Sequence, residues 1–592
     1  MKKNIILLLI FALTIPLSYS SLGHNFMTNI PGRKVINLNG QWQAIIDHYD
    51  RGIEKSTIWK DAKPQGKTDF YEYSFDGGLV LNVPGDWNSQ KPELKYYEGV
   101  IWYKKNFTIK KSGNKRQFLH FGAVNYKADV FVNNKMVGSH EGGFTPFQFE
   151  VTGYLNDGEN SIIVRVNNQR VSDGIPALSF DWWNYGGITR DVSLIETPGT
   201  FINDYFVQLE KGSSNILKGW VKLAGSQWEQ SVRIVIQEAK IEYMVKTNKQ
   251  GMAEFHFPAK LIRWSPSNPK TYRVQISCET DTISEDIGFR TIEVKGNDIV
   301  LNGEPVFLKG INFHEEVAQR SGRAFSDGDA VLLLTAAKEL GCNFIRLTHY
   351  PQSETLVKLA EKMGFMMWEE IPVWQGIDFN NPVILNKAET MLVEMIERDK
   401  NRAGIIIWSM SNETAPSQKR NETIINMVRM SREMDPTRLI TSAFDHVKYE
   451  GNLITIDDTL SNYLDVLAVN EYLGWYRAWP ANPDEVKWKS DFNKPLIMSE
   501  FGAEALFGNH KNTEMASSWS EEYQANLYRD QLEMFRNIPF LKGTCPWVLF
   551  DFRSPFRMHP TYQDGWNRKG LISDQGFKKK AWYVMKNYYS SF

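Results

Sequence analysis

The sequence predicts a multidomain protein of β plus α/β class, with an N-terminal jelly-roll sandwich, an immunoglobulin-like sandwich and a C-terminal (β/α)8 TIM barrel. Three observations carry that prediction. Alternating strand-like runs separated by turn residues fill the chain to about residue 197, and shorter runs of the same kind continue to about 292. From 293 onward, apolar strand-like runs alternate with helical patterns, the texture of βα units around a parallel sheet.

Residues 1–20 read as an export signal. Lys2 and Lys3 give a positive start, an apolar stretch interrupted by Thr14 and Pro16 follows, and mostly small residues surround Ser18 to Ser21. The stretch is shorter than the ~20 residues a membrane span needs. This implies export, to the periplasm or the medium, with no membrane span. The jelly roll is assigned to 21–197, with runs such as Ala128-Asp129-Val130-Phe131-Val132 and turns at Asn133-Asn134 and Asp157-Gly158. Pro198-Gly199 marks a boundary, and 198–292 has the strand spacing of an immunoglobulin-like sandwich. In 293–592, eight candidate strands fall at 306–311, 343–347, 366–370, 405–411, 439–442, 466–470, 496–500 and 544–550. Helices are expected at 327–340, with Asp327 as N-cap, at 353–363 and at 383–400. A doubly wound sheet is the competing architecture, but no Gly-rich phosphate loop opens this region, which favours the barrel.

Composition excludes several function classes. With 68 basic against 69 acidic residues and no basic block, the chain lacks the electrostatic footprint of a nucleic-acid binder. Cys278, Cys342 and Cys545 are widely separated, neither a disulfide framework nor a metal-ligand cluster, and read as small buried hydrophobes. The 19 Trp and 24 Tyr offer flat faces on which sugar rings stack, besides those needed for cores.

Barrel enzymes carry their chemistry at the C-terminal ends of the strands. The fourth run ends in Asn412-Glu413 and the seventh in Ser499-Glu500, which puts two carboxylates at the rim facing each other across the cavity. Paired carboxylates are what glycosidic bond cleavage requires, one protonated to assist the leaving oxygen and one ionised to attack the anomeric carbon. Spacing alone also fits two solvated rim charges.

The segments around these residues resemble glycoside hydrolase family 2 almost end to end. The resemblance is carried by Asn412-Glu413, Ser499-Glu500-Phe501-Gly502-Ala503-Glu504, Asn184-Tyr185-Gly186-Gly187, Asn312-Phe313-His314 and Arg346-Leu347-Thr348-His349-Tyr350-Pro351. It implies Glu413 as general acid/base, Glu500 as nucleophile and Asn412 as a contact to the sugar 2-hydroxyl. Within the family, residues 500–510 and 470–476 look most like the β-glucuronidases, and Asn567-Arg568-Lys569 is similar to the element that contacts the uronate carboxylate. The resemblance therefore implies a retaining exo-β-glucuronidase acting on an oligosaccharide or glucuronide, with Asp181, His349, Asn470, Tyr472, Tyr476, Trp547, Asn567 and Lys569 at the sugar. Glu369, Glu370 and Glu504 are expected to be structural or supporting charges.

The segment 552–567 departs from the better-known glucuronidases and shows no obvious copy of their substrate-site arginine, which leaves the sugar open. A β-galactosidase of the same family and a carbohydrate-binding protein without turnover remain alternatives. Metal-binding features of the large β-galactosidases are not evident, so no cofactor or metal is expected. Assembly into a homo-oligomer is left open.

Overall fold

The structure, a computed structural model, describes residues 26–69, 72–111, 113–511 and 515–592. The candidate export signal at 1–20 lies outside the described residues. Two antiparallel sheets form the first sandwich. One orders the strands Lys34–Asn37, Val192–Thr197, Arg116–Phe121 and Phe147–Glu150; the other runs Leu79–Val83, Gly40–Asp47, Val100–Ile109, Gly158–Asn167, Lys127–Val132 and Lys135–Glu141. The inner faces meet in a core that includes Trp42, Leu81, Val130, Val164 and Leu194, side chains at alternate positions as strand geometry requires. The second sandwich packs three strands, including Phe201–Leu209, on four, including Ser231–Ile236 and Thr271–Ser277.

The third unit is a closed barrel of parallel strands. We number them β1 (Leu308–Lys309, continued by Asn312–Phe313), β2 (Phe344–Leu347), β3 (Met366–Glu370), β4 (Ile405–Asn412), β5 (Leu439–Phe444), β6 (Leu467–Asn470), β7 (Leu496–Glu500) and β8 (Leu541–Thr544). The two halves of β1 pair with β8 and β2 respectively, which closes the ring. Gly310 sits at that seam. A Cβ there would run into Cys545 Sγ and the Thr544 carbonyl, so only glycine lets the first and last strands approach. A three-strand meander, Ile292–Lys295, Asp298–Leu301 and Glu304–Pro305, plugs the far end of the barrel; its Ile292, Ile299 and Leu301 share a core with Leu308, Trp368, Ile407 and Ile497.

Several boundaries differ from expectation, each for a local reason. β8 ends at Thr544 rather than running over 544–550, because Pro546 has no N–H for the ladder. Trp547 therefore stands past the strand, on the rim. The helix at Asp327–Leu340 is capped by Ser326, not Asp327, with Asp329 completing a capping box. The helices Glu354–Lys362 and Pro382–Asp399 follow as expected, capped by Ser353 and Asn381. After β5 and β6 no α-helix forms. The chain there makes 3-10 turns at Thr459–Asn462 and Pro483–Glu485 and a small sheet including Leu453–Ile456 and Lys487–Ser490. Pro480, Pro483 and Pro495 break the second of these segments. The stretch after β6 is thus free to turn across the barrel mouth.

The seam gives a stability test. Gly310→Ala is expected to cost about 1–3 kcal/mol through overpacking, read as a lower thermal melting point. Cys545→Ala in the same chain should recover part of the loss, because it removes one of the three clashing groups, the others being the Thr544 carbonyl and the Phe344 ring; no recovery would show that the crowding at the seam does not involve the thiol.

Candidate active site

The mouth of the barrel is built from strands buried along their whole length, so their final residues are fixed in position. β4 delivers Asn412 and then Glu413, whose backbone N–H bonds the Ala443 carbonyl at 2.9 Å. Glu413 adopts φ 52°, the left-handed region that a Glu rarely enters, and this turns its side chain from the strand line toward the cavity. Its two carboxyl oxygens accept from Asn470 Nδ2 at 2.9 Å and Gln375 Nε2 at 2.9 Å. β7 ends in Glu500, 4% exposed, which accepts from Arg346 Nη1 at 2.9 Å and Tyr472 Oη at 2.8 Å.

Arg346 on β2 ties these ends together. It donates twice to Glu370, at 3.1 and 3.0 Å, once to Glu500 and once to Asn412 Oδ1 at 2.6 Å. His349 Nδ1 lies 2.7 Å from Glu370 Oε1, and a carboxylate there selects the tautomer protonated at Nδ1. Its Nε2 faces Glu500 at 3.8 Å, and its ring stacks on Trp547 with centroids 5.0 Å apart. Burial pulls the His349 pKa down and keeps the imidazole neutral.

These groups surround a cavity of about 310 Å³. Of the residues expected at the sugar, Asp181, His349, Asn470, Tyr472, Tyr476, Trp547, Asn567 and Lys569 line it together with Glu413 and Glu500. Asn412 does not line it. Asn412 lies just behind, its Oδ1 taken by Arg346 and Asn470 and its buried Nδ2 without a partner among the described residues.

One wall concentrates positive charge. Lys569 is 1% exposed; its Nζ donates to Tyr476 Oη at 2.6 Å, and the Glu504 Oε1 stands 3.5 Å away. Asn567 Nδ2 reaches Asp181 Oδ2 at 3.3 Å, and Asp181, supplied by the jelly roll, also accepts from Arg557 and Ser554. Arg568, the central residue of the Asn-x-Lys element, turns away to Asp574 and Asp551. Glu369 pairs with Arg398 away from the cavity.

The cavity also contains residues not singled out from the sequence: Trp182, Trp374, Gln375, Asp445, Glu471, Arg477 and Arg557. Asp445 and Glu471 directly follow β5 and β6, so the strand-end rule that selected Glu413 and Glu500 also points to them. Arg557 reaches the wall only through the fold of 552–567. Among the described residues no group of His, Cys, Asp and Glu is arranged to hold a metal ion, and no helix is long and apolar enough to cross a membrane.

Burial, and then the facing Glu413, push the Glu500 carboxyl up to about 8. Burial, and then Asp445, push Glu413 up as well. Two carboxyls that both resist ionisation hold one proton between them near neutrality. Glu500 faces a guanidinium and a phenol that stabilise its anion, and the direct partners of Glu413 are two neutral amides. Two carboxyls facing each other across a sugar-sized cavity are the arrangement that glycoside cleavage uses.

The comparisons agree with that class. The chain matches the glycosyl hydrolases family 2 sugar binding domain over residues 35–198 and the family's TIM barrel domain over 292–591. It is 26% identical to the β-glucuronidase of Rattus norvegicus, covering 96% of this chain and 92% of that one, and 26% identical to that of Paenibacillus borealis, covering 94% and 96%. Among solved structures it resembles the β-D-glucuronidase of Dictyoglomus thermophilum (26% identity, TM-score 0.79, 96% and 99% covered) and the β-glucuronidase of Ruminococcus gnavus (25%, 0.80, 94% and 98%). The chain belongs to glycosyl hydrolase family 2.

The raised Glu500 carboxyl has a stability consequence with a definite sign. A carboxyl whose folded pKa exceeds its unfolded value of about 4.3 contributes stability at low pH that is lost as pH rises through the folded value. Glu500→Gln is therefore expected to melt at a higher temperature than the parent. The gap should widen between about pH 5 and about pH 8 and level off above it. Thermal melts across that range check this; a gap independent of pH would mean that the Glu500 anion is not costly.

Proposed function

We propose that the protein is a retaining exo-β-glucuronidase that removes a terminal β-D-glucuronate by double displacement. The observation that carries the choice of sugar is Lys569. It is a lysine buried on the cavity wall, beside Asn567, with no carboxylate oxygen closer than 3.5 Å. Its ammonium has Glu504 at 3.5 Å and the Tyr476 hydroxyl as partners and keeps donor capacity for a ligand anion, which a uronate carboxylate would fill. The β-glucuronidase relatives and structural neighbours support the same reading.

In this mechanism the sugar lies with its carboxylate on Lys569 and Asn567 and its anomeric carbon toward Glu500. Glu500, oriented by Arg346 and Tyr472, attacks that carbon while Glu413 gives its proton to the leaving oxygen. The glycosyl-enzyme ester forms and the aglycone departs as an alcohol. Glu413, now ionised, takes a proton from water as the water attacks the same carbon, releasing glucuronate with its β configuration and restoring Glu500. Asn412 Nδ2, just behind the cavity wall and without a partner among the described residues, would serve the 2-hydroxyl once the sugar settles against that wall. His349 and Trp547 form the stacked face beneath the ring.

Glu413→Gln is expected to lower kcat/KM by roughly 10²–10⁴-fold on a glucuronide with an alkyl or sugar leaving group. The loss should be much smaller on the nitrophenyl glucuronide, whose leaving group needs little protonation; equal losses would remove Glu413 from the acid role. Lys569→Met should reduce turnover of nitrophenyl β-glucuronide far more than that of nitrophenyl β-galactoside. No glucuronide hydrolysis by the native chain, with galactoside hydrolysis intact, would replace the glucuronidase reading by the galactosidase one.

A further inference from the structure

A second cavity, of about 280 Å³, opens where the jelly roll meets the barrel. Its lining contains four cationic residues, Lys91, Lys95, Arg320 and Arg553, and no carboxylate. Arg320 is paired with Asp329 at 2.6 Å, but among the described residues Lys91, Lys95 and Arg553 have no acidic side chain within ion-pairing distance. Arg553 lies 4.0 Å over the Trp566 ring, and its buried Nε has no acceptor among the described residues. Glu316 accepts the Arg553 backbone N–H at 3.0 Å from behind the wall. Burial pushes its carboxyl up to about 8, so it does not cancel the cations at neutral pH. The half-buried Trp183, against Tyr96 at 5.6 Å, adds an aromatic face.

The position of this cavity relates it to the active one. Asp181 and Trp182 line the active cavity, while Trp183 and Tyr185 of the same segment line this one. Arg557 and Arg553 divide in the same way. Two short segments therefore form a partition with a sugar-sized cavity on each side.

We propose that the basic cavity is a non-catalytic saccharide site that holds an acidic sugar residue, bearing a carboxylate or a sulfate ester, of a glycan presented to the active cavity. Unpaired cations take the anionic group and Trp183 takes the apolar face of the ring. The inference rests on the glycosidase reading given above, and binding is measured apart from turnover so that the two can fail separately.

The test uses the full chain carrying Glu413→Gln, with and without Lys91→Ala and Lys95→Ala together. Calorimetric titration compares a glucuronate-containing octasaccharide, its carboxyl-reduced neutral counterpart and a sulfated neutral octasaccharide. Both lysine changes together should weaken at least one acidic octasaccharide about tenfold and leave the neutral one unchanged, and which acidic ligand loses more identifies carboxylate or sulfate. Trp183→Ala should weaken the same ligand while leaving the binding of inorganic sulfate as it was. In the otherwise native chain, Lys91→Ala with Lys95→Ala should keep nitrophenyl glucuronide turnover within twofold. Unchanged affinity for both acidic octasaccharides, or an equal loss for the neutral one, overturns the proposal. So does displacement of the octasaccharide by inorganic sulfate at the octasaccharide's own binding concentration, which would leave an anion site without ring recognition. A native chain that does not hydrolyse the nitrophenyl glucuronide would end the glucuronidase reading without altering the binding result.

Discussion

The Arg346 guanidinium is fully buried at the centre of the barrel mouth and donates to Glu370, Glu500 and Asn412, so three strand ends take their orientation from one side chain. A buried cation of this kind is tolerable only when carboxylates surround it, and removing one partner of such a set costs about 3–5 kcal/mol. The same arrangement gives Glu370 a second task, because it also fixes the His349 tautomer. Glu370 is thus needed for the shape of the site although it does not line the cavity. The charge on Arg346 also biases the proton between the two glutamates, a role that a neutral donor at that position could not fill.

The mouth owes its specificity to what the barrel omits. Where a regular βα unit would place helices after β5 and β6, this chain has 3-10 turns and a small sheet, so the segment after Asn470 folds across the opening. That segment supplies Glu471, Tyr472, Tyr476 and Arg477. Tyr472 and Tyr476 then split their duties: one hydroxyl goes to Glu500 and the other to Lys569. Two residues four apart in sequence thereby connect the candidate chemistry with the candidate uronate wall.

Much of this was legible in the sequence, for identifiable reasons. Alternation with period two and the later change to βα texture carry the fold class, because buried strands must be apolar and barrel strands must be separated by helices or their substitutes. Glu413 and Glu500 were visible because each directly follows a long apolar run. The β8 boundary was not, because Pro546 lies inside an otherwise apolar stretch and breaks the ladder without breaking the hydropathy. Arg557 and Gln375 were hidden for another reason. They reach the cavity from irregular segments, where neither periodicity nor strand ends indicate direction. The left-handed backbone at Glu413 is similarly silent, since nothing in its side chain signals φ 52°.

The barrel alone does not complete the site. Asp181 and Trp182 come from the jelly roll, and Arg190 of the same sandwich is buried against the barrel, bonding Glu315 at 2.9 Å and the Pro351 carbonyl at 2.7 Å. Asp181 in turn engages Arg557 and Asn567, so a jelly-roll carboxylate balances a barrel cation on the cavity wall. Asp181 occupies Arg557 and touches Asn567, but it does not reach Lys569, whose remaining donors are the ones left for an incoming anion. The sandwich therefore sets how much positive charge the cavity has to spare.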